Sequence, residues 1–187
     1  MEFLKSKNEK TPQRFIFENI SIDQVSDNAI KFFEGASQRF ILPEEYYPGN
    51  FEGLFLLKHE NGDITYVATQ IKFDEYNTYF FDTRDGEEIG HGELRFAKDS
   101  EDEFFKDKPF VGFTDTEENF RRQGLGERRL LEMGAYSRQI YNLPIYSDTL
   151  ISENAKALWN KFVSLGMAEV FIENSGGRSH ERYVLLV

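Results

Sequence analysis

The sequence predicts a single α/β (α+β) domain, built on a mixed, mostly antiparallel central sheet of about six or seven strands flanked by helices. Three observations lead there. Two turn dipeptides, Asn61-Gly62 and Asp85-Gly86, are each flanked by β-prone runs. From Phe110 onward the pattern alternates strand and helix, which implies parallel pairing through crossovers. Finally, 187 residues with 40% hydrophobic and 16% aromatic content, including nineteen Phe and nine Tyr, suffice for one aromatic-rich core.

Residues 1–14 are polar, carry Pro12 and read as a loose N-terminal arm, leaving 15–187 as the domain. An apolar run at 15–20 reads as a first strand. Ser21 and Gln24 resemble a capping box, and Val25, Ala29, Phe32 and Phe33 follow at helical spacing, predicting a helix over about 23–34. The segment 40–53, with Pro43, Tyr46, Tyr47 and Pro48, has the chemistry of a loop or broken helix able to overhang a site. The two hairpins pair 54–58 with 64–73, and 78–83 with 88–96. After an acidic stretch come a strand (110–116), a helix (124–141), a strand (145–149), a helix (153–165) and strands at 168–172 and 182–187. Gly176-Gly177 turns the chain between the last two. Adjacent aromatics such as Phe80-Phe81 must face opposite sides of their strand, so at most one of each pair lines a pocket.

Composition removes several classes of chemistry. Without Cys there is no disulfide, thiolate nucleophile or zinc-thiolate site, which fits a reducing compartment. The N-terminus lacks the apolar stretch of a signal peptide, and no apolar run approaches the ~20 residues needed to span a bilayer. A soluble, cytoplasmic protein without membrane contact is expected. Thirty-three acidic against twenty-two basic residues give a net charge of −11, which disfavours nucleic acid. The same charge would attract a cationic partner, or simply keep the protein soluble. His59, His91 and His180 lie far apart without ligand spacing, and Glu101-Asp102-Glu103 lacks the pattern of a calcium loop, so no metal is expected.

The informative residues are Phe120-Arg121-Arg122-Gln123-Gly124-Leu125-Gly126, between a predicted strand and a predicted helix. Two glycines here allow a tight turn and close approach of a ligand to the main chain. The first amides of the helix have no internal partners and carry the positive end of its dipole, which suits a pyrophosphate. Arg121, Arg122, Arg128 and Arg129 place four cations within nine residues, where a polyanion would be held. For any single one of Arg122, Arg128 or Arg129, a solvated helix face is the plainer reading. The helix itself presents Leu130, Leu131, Gly134 and Ala135 as a packing stripe.

The run 121–126 resembles the signature of the GNAT N-acetyltransferase superfamily: Gln or Arg, two residues, Gly, one residue, then Gly or Ala. As in that family, an amphipathic helix follows, then a short strand opened by Leu143-Pro144-Ile145. A second helix carries Ser152, Ala155, Leu158 and Trp159 ahead of Gly166. The likeness covers about 110–172.

The resemblance implies a GNAT-like sheet with a V-shaped splay between the two strands around the signature helix, and acetyl-CoA as cofactor in that wedge. Thr114, Asp115 and Thr116 would offer main-chain groups to the pantetheine. Arg121, Arg122, Gln123, Gly124, Leu125, Gly126 and Glu127 would hold the pyrophosphate, with Ser152, Asn154 and Trp159 completing the cofactor site. The implied reaction is transfer of an acetyl group to a primary amine, which could be a small cationic amine, a Lys side chain or a protein N-terminus. Attack is direct, with a base taking the amine proton. Asp115 is the first candidate base and Asp148 the second, and each also reads as a hydrogen-bonding strand-end residue. Where many members place a Tyr that protonates the thiolate, this chain has Trp159, and indole is a donor only. The thiolate, of modest basicity, leaves unaided, or Ser152, Asn154 or Tyr146 serves. Trp159 packs on the cofactor or in the core. A longer acyl-CoA, or a non-catalytic coenzyme-binding module, fits the same signature, and monomer and homodimer both remain open.

Overall fold

The computed structural model describes residues 15–38, 51–72, 75–97, 105–149, 151–175 and 177–186. The N-terminal arm, most of the 40–53 loop with its Tyr46-Tyr47 pair, and the acidic run 101–103 lie outside these residues.

Among the described residues nine strands form one sheet in the order β1-β2-β3-β4-β5-β6-β7-β9-β8. These are β1 (Glu18–Asn19), β2 (Gly53–Lys58), β3 (Ile64–Lys72), β4 (Glu75–Arg84), β5 (Glu87–Ala97), β6 (Phe110–Thr116), β7 (Ile145–Tyr146), β8 (Ala168–Ser175) and β9 (Arg178–Leu185). The expectation of six or seven strands in the sheet is therefore too low: all nine strand runs read from the sequence join it. Two of the nine, β1 and β7, are only two residues long, yet both join the one sheet. The pairings between these strands are antiparallel except β6 with β7, the crossover that the strand-helix alternation required.

Both predicted turns are present. Asp85 and Gly86 take positive φ values of 52° and 82°, the pair of left-handed residues that a two-residue hairpin needs. The Asn61-Gly62 connection is longer, spanning residues 59–63 and closed by the Gly62 N–H to His59 carbonyl bond (2.9 Å).

Helix α1 (Asp27–Gln38) begins later than predicted. The Ser21/Gln24 pairing exists, with the Ser21 N–H bonded to Gln24 Oε1 at 2.9 Å, but it caps a separate 3₁₀ turn at Ile22–Gln24. Val25 then goes extended, and Ser26 Oγ caps α1 by accepting the Ala29 N–H. Helices α2 (Leu125–Ile140) and α3 (Glu153–Ser164) lie within a residue of expectation, α3 capped by Ser152 Oγ accepting the Ala155 N–H at 3.2 Å.

The sheet separates two cores, as period-2 alternation dictates. Against α2 and α3 pack Val67, Phe80, Leu94, Val111, Leu130, Met133, Tyr136, Trp159 and Phe162. Against α1 pack Leu56, Tyr66, Ala68, Tyr79 and Phe81 around Ala29 and Phe33. Phe80 and Phe81 thus face opposite sides. Helix α2 lies very close to β5: a Cβ on Gly92 would sit 2.7 Å from Met133 Cε and 2.8 Å from Arg129 Cδ. Burial of an apolar side chain contributes about 1.5–3 kcal/mol, so the first of these layers supplies the main stabilisation that fixes α2 over the sheet, and the second does the same for α1 on the other face.

Candidate functional site

The site begins where two strands part. On one side β6 follows β5 from Phe110 to Thr116. On the other it meets β7 at a single register position, Phe110 with Tyr146, sealed by the Tyr146 N–H to Pro109 carbonyl bond at 2.8 Å. Beyond that point the Ser147 N–H turns to the Tyr183 carbonyl of β9 (2.9 Å), while β6 runs on with an open edge. This is the splay that the resemblance implied. A bulge sharpens it. The β5–β6 register shifts between Glu93 and Leu94, leaving Gly112 without an opposite residue and bending β6.

The parted strands enclose a cleft of about 520 Å³. Val111, Phe113, Leu130, Ile151, Leu158 and Trp159 give it an apolar wall, while Thr114, Asp115, Thr116, Arg121, Asp148, Ser152 and Asn154 provide polar groups. The width and mixed lining suit a flexible chain bearing amides, since open main-chain groups on a strand edge can pair with a ligand as they would with another strand.

At one end stands the Gly-rich loop. Gly124 caps α2 with φ +82°, a left-handed conformation that a side chain resists. The Arg128 N–H bonds the Gly124 carbonyl at 3.0 Å, so the helical amides of Leu125, Gly126 and Glu127 come before any intrahelical acceptor. Gly126 lines the cleft itself. The combination presents donors and a positive dipole end to an anion.

Of the sequence-predicted residues, Thr114, Asp115, Thr116, Arg121, Gly126, Asp148, Ser152, Asn154 and Trp159 come together around this one cleft. Arg122, Gln123, Gly124, Leu125 and Glu127 do not line it. Arg122 is exposed with φ +63°. Gln123 Oε1 accepts from Arg84, Leu125 is buried, and Glu127 pairs with Lys161 of α3. Arg121 donates to the Thr116 carbonyl at 3.1 Å, tying the loop to the end of β6.

The expectation that Arg128 and Arg129 await a polyanion fails, and so does the solvated-face reading. Arg129 is fully buried and donates to Asp82 Oδ2 from Nε (2.9 Å) and Nη2 (2.5 Å), and to the Asp115 carbonyl from Nη1 (2.7 Å). Arg128 bonds Asp63 at 2.6 Å and lies 3.3 Å from Glu132. Two arginines of the signature helix are thus committed to carboxylates of β4 and of the β2–β3 connection. Sequence reasoning missed this frame because its members are 47 and 65 positions apart.

The frame perturbs its members in opposite directions. Burial alone would raise the Asp63 carboxyl, but hydrogen bonds from Arg84, Arg128 and Asn61 hold it well below the usual carboxylate range. Glu132 is pushed well up, first by burial and then by the Asp82 charge. His59 is held down by burial and then by Arg128. Because Thr65 Oγ1 gives its proton to Asp82 at 2.7 Å, His59 Nε2 is the donor in its 2.9 Å bond to Thr65.

Both candidate bases face the cleft, and each also accepts its neighbour's amide. Asp115 Oδ1 takes the Thr116 N–H at 2.8 Å, and Asp148 Oδ1 takes the Thr149 N–H at 2.5 Å. Trp159 is 2% exposed and stacks on Tyr183 at 5.8 Å, so it belongs to the core while its edge reaches the cleft. Among the described residues no Tyr lines the cleft. Tyr146 packs on Phe171, and Tyr183 donates to Glu181 at 2.6 Å, its hydroxyl pushed up to about 12 by burial and by that carboxylate.

No protein-family model matches the chain, and no curated protein matches it. Among solved structures it is similar to Escherichia coli ElaA, with 11% identity and a TM-score of 0.44, over 91% of this chain and 99% of that one. It is similar as well to Arabidopsis thaliana NAA60 in complex with acetyl-CoA, with 15% identity and a TM-score of 0.40, over 92% and 98%. At such identities and scores neither protein decides what this chain binds. No described helix is long and apolar enough to cross a membrane.

Proposed function

We propose that the chain binds an acyl-CoA, acetyl-CoA first among them, between β6 and β7 and transfers its acyl group to a primary amine. The observation that carries this reading is the conjunction of an open strand edge, Val111–Thr116, with an anion-suited helix start at Gly124–Glu127, which reaches the same cleft through Gly126. The GNAT-like signature at 121–126 lies at that junction.

In this reading the pyrophosphate lies on the amides of 125–127 with Arg121 beside it, and the pantetheine pairs along β6. The amine nitrogen attacks the thioester carbonyl, the C–N bond forms, the C–S bond breaks, and coenzyme A leaves as thiolate. Main-chain N–H groups of β6 would stabilise the oxyanion. Asp115, or Asp148 through water, takes the amine proton, which ends on the thiolate. A thiol's ordinary pKa of about 8.5 makes departure without a dedicated acid tolerable. The net charge of −11 favours a cationic acceptor.

The test is thermal stability with acetyl-CoA, with Gly124→Glu as control. At about 100 times its dissociation constant, ligand adds about 2.7 kcal/mol. A shift in the wild type alone supports the reading. A shift in neither, for acetyl-, succinyl- or longer acyl-CoA, refutes it. That no Tyr among the described residues lines the cleft favours one second reading, a coenzyme-binding module without turnover, which predicts the shift but no product with any amine.

A further inference from the structure

Arg84 ends β4, thirty-nine positions before Gln123, yet it reaches the Gly-rich loop. Its guanidinium forks onto Asp63, with Nε to Oδ1 at 2.7 Å and Nη2 to Oδ2 at 3.1 Å. The remaining Nη1 donates to Gln123 Oε1 at 3.1 Å, and the guanidinium carbon lies 5.3 Å from the centre of the Phe120 ring. Asp63 is fixed independently by Arg128 of α2 (2.6 Å) and by Asn61 (3.0 Å). Both flanks of the Arg121-Arg122 pair therefore rest on one planar fork, whose base is a buried carboxylate tied to the helix that follows the loop. Between those flanks Arg122 holds φ +63°, a left-handed conformation that a side chain resists and that persists where the surroundings over-determine it.

We propose that Arg84 is a positioning residue that holds the 120–124 turn in the shape that presents the α2 amides to the coenzyme pyrophosphate. This rests on the acyl-CoA reading above. A Lys at this position would supply charge without the fork, so it would not hold the turn. The side chain of Arg84 is 32% exposed, so its loss leaves the core closed.

The experiment compares wild type, Arg84→Gln and Arg84→Lys in titrations with acetyl-CoA and with acetyl-pantetheine, which lacks the pyrophosphate, alongside amide hydrogen exchange of 120–127 without ligand. Arg84→Gln should bind acetyl-CoA about tenfold more weakly and acetyl-pantetheine unchanged, with faster exchange in the loop. Arg84→Lys should resemble it. Gln123→Ala, which leaves the Asp63 pair intact, should give the same pattern and decides the matter if the Arg84 variants do not fold. Equal losses on both ligands, or unchanged exchange and affinity, would overturn the proposal. Should the wild type bind neither ligand, the acyl-CoA reading falls, and the exchange rates alone decide whether Arg84 holds the turn.

Discussion

Arg121 and Arg122 stand exposed in the Gly-rich loop, whereas Arg128 and Arg129, less than two helical turns onward, are drawn beneath α2 onto Asp63, Asp82 and Glu132. The residue type is the same. What differs is the partner: the first pair meets solvent and the Thr116 carbonyl at the end of β6, the second meets buried acids of β4, of the β2–β3 connection and of α2 itself. The buried pair of this arginine cluster therefore serves the fold, keeping loop, helix and β6 in register. The Arg129 bond to the Asp115 carbonyl makes the link explicit, because it joins the signature helix to the strand that carries the first candidate base.

The sharpest way to break the comparison is to remove one arginine from each pair. Arg129→Leu leaves Asp82 and its neighbours with an uncompensated buried charge, which should cost about 3–5 kcal/mol and lower the melting temperature by roughly 6–20 °C. Arg121→Leu should change stability by no more than about 0.5 kcal/mol while weakening acetyl-CoA binding. Equal melting temperatures for the two variants would erase the distinction.

Next in size are the carboxylates at the cleft. If Asp115 takes the amine proton, Asp115→Asn should lower kcat by about 10²-fold or more with little change in KM for acetyl-CoA, and Asp148→Asn should lower it far less. Steady-state kinetics at several pH values read this directly, and the reverse ranking would move the role to Asp148.

A smaller effect separates the acids within the frame. Glu132 is raised by burial, so the stability linked to its proton is complete below about pH 4.5, the ordinary Glu value, and is lost as pH rises through its folded value. Asp63 is lowered, so its contribution is present above about pH 4 and fades only in strong acid. Glu132→Gln should therefore lose less stability than wild type between pH 5 and 8 in denaturant titrations. A parallel pair of curves would contradict the assignment. The smallest change belongs to the exposed Lys161–Glu127 pair, where Lys161→Ala should cost no more than about 1 kcal/mol.

Much of the fold was legible because local chemistry carried it. Asp85-Gly86 demanded its turn, and the Gly124 junction marked the start of α2. What escaped was set by partners distant in sequence. The α2 stripe seemed to be Leu130, Leu131, Gly134 and Ala135, yet the buried face includes Arg129 and Glu132, while Leu131 and Ala135 are only half-buried. A charged residue reads as solvent-facing until its counter-charge is found, and Asp63 and Asp82 are invisible in any local window. The short β7 escaped likewise: 145–149 suits a strand by composition, but Ser147 turns away to β9, and that departure creates the cleft. The candidate site was legible as a backbone junction, because a main-chain site constrains its glycines and the end of its helix more than its side chains.

The most direct test of the central claim is amide hydrogen exchange of the wild-type chain with and without acetyl-CoA. The account predicts that protection rises together in Val111–Thr116 and in Leu125–Glu127, with the hairpins of β2 to β5 unchanged. Protection confined to any other segment, or none at saturating acetyl-CoA, would contradict it.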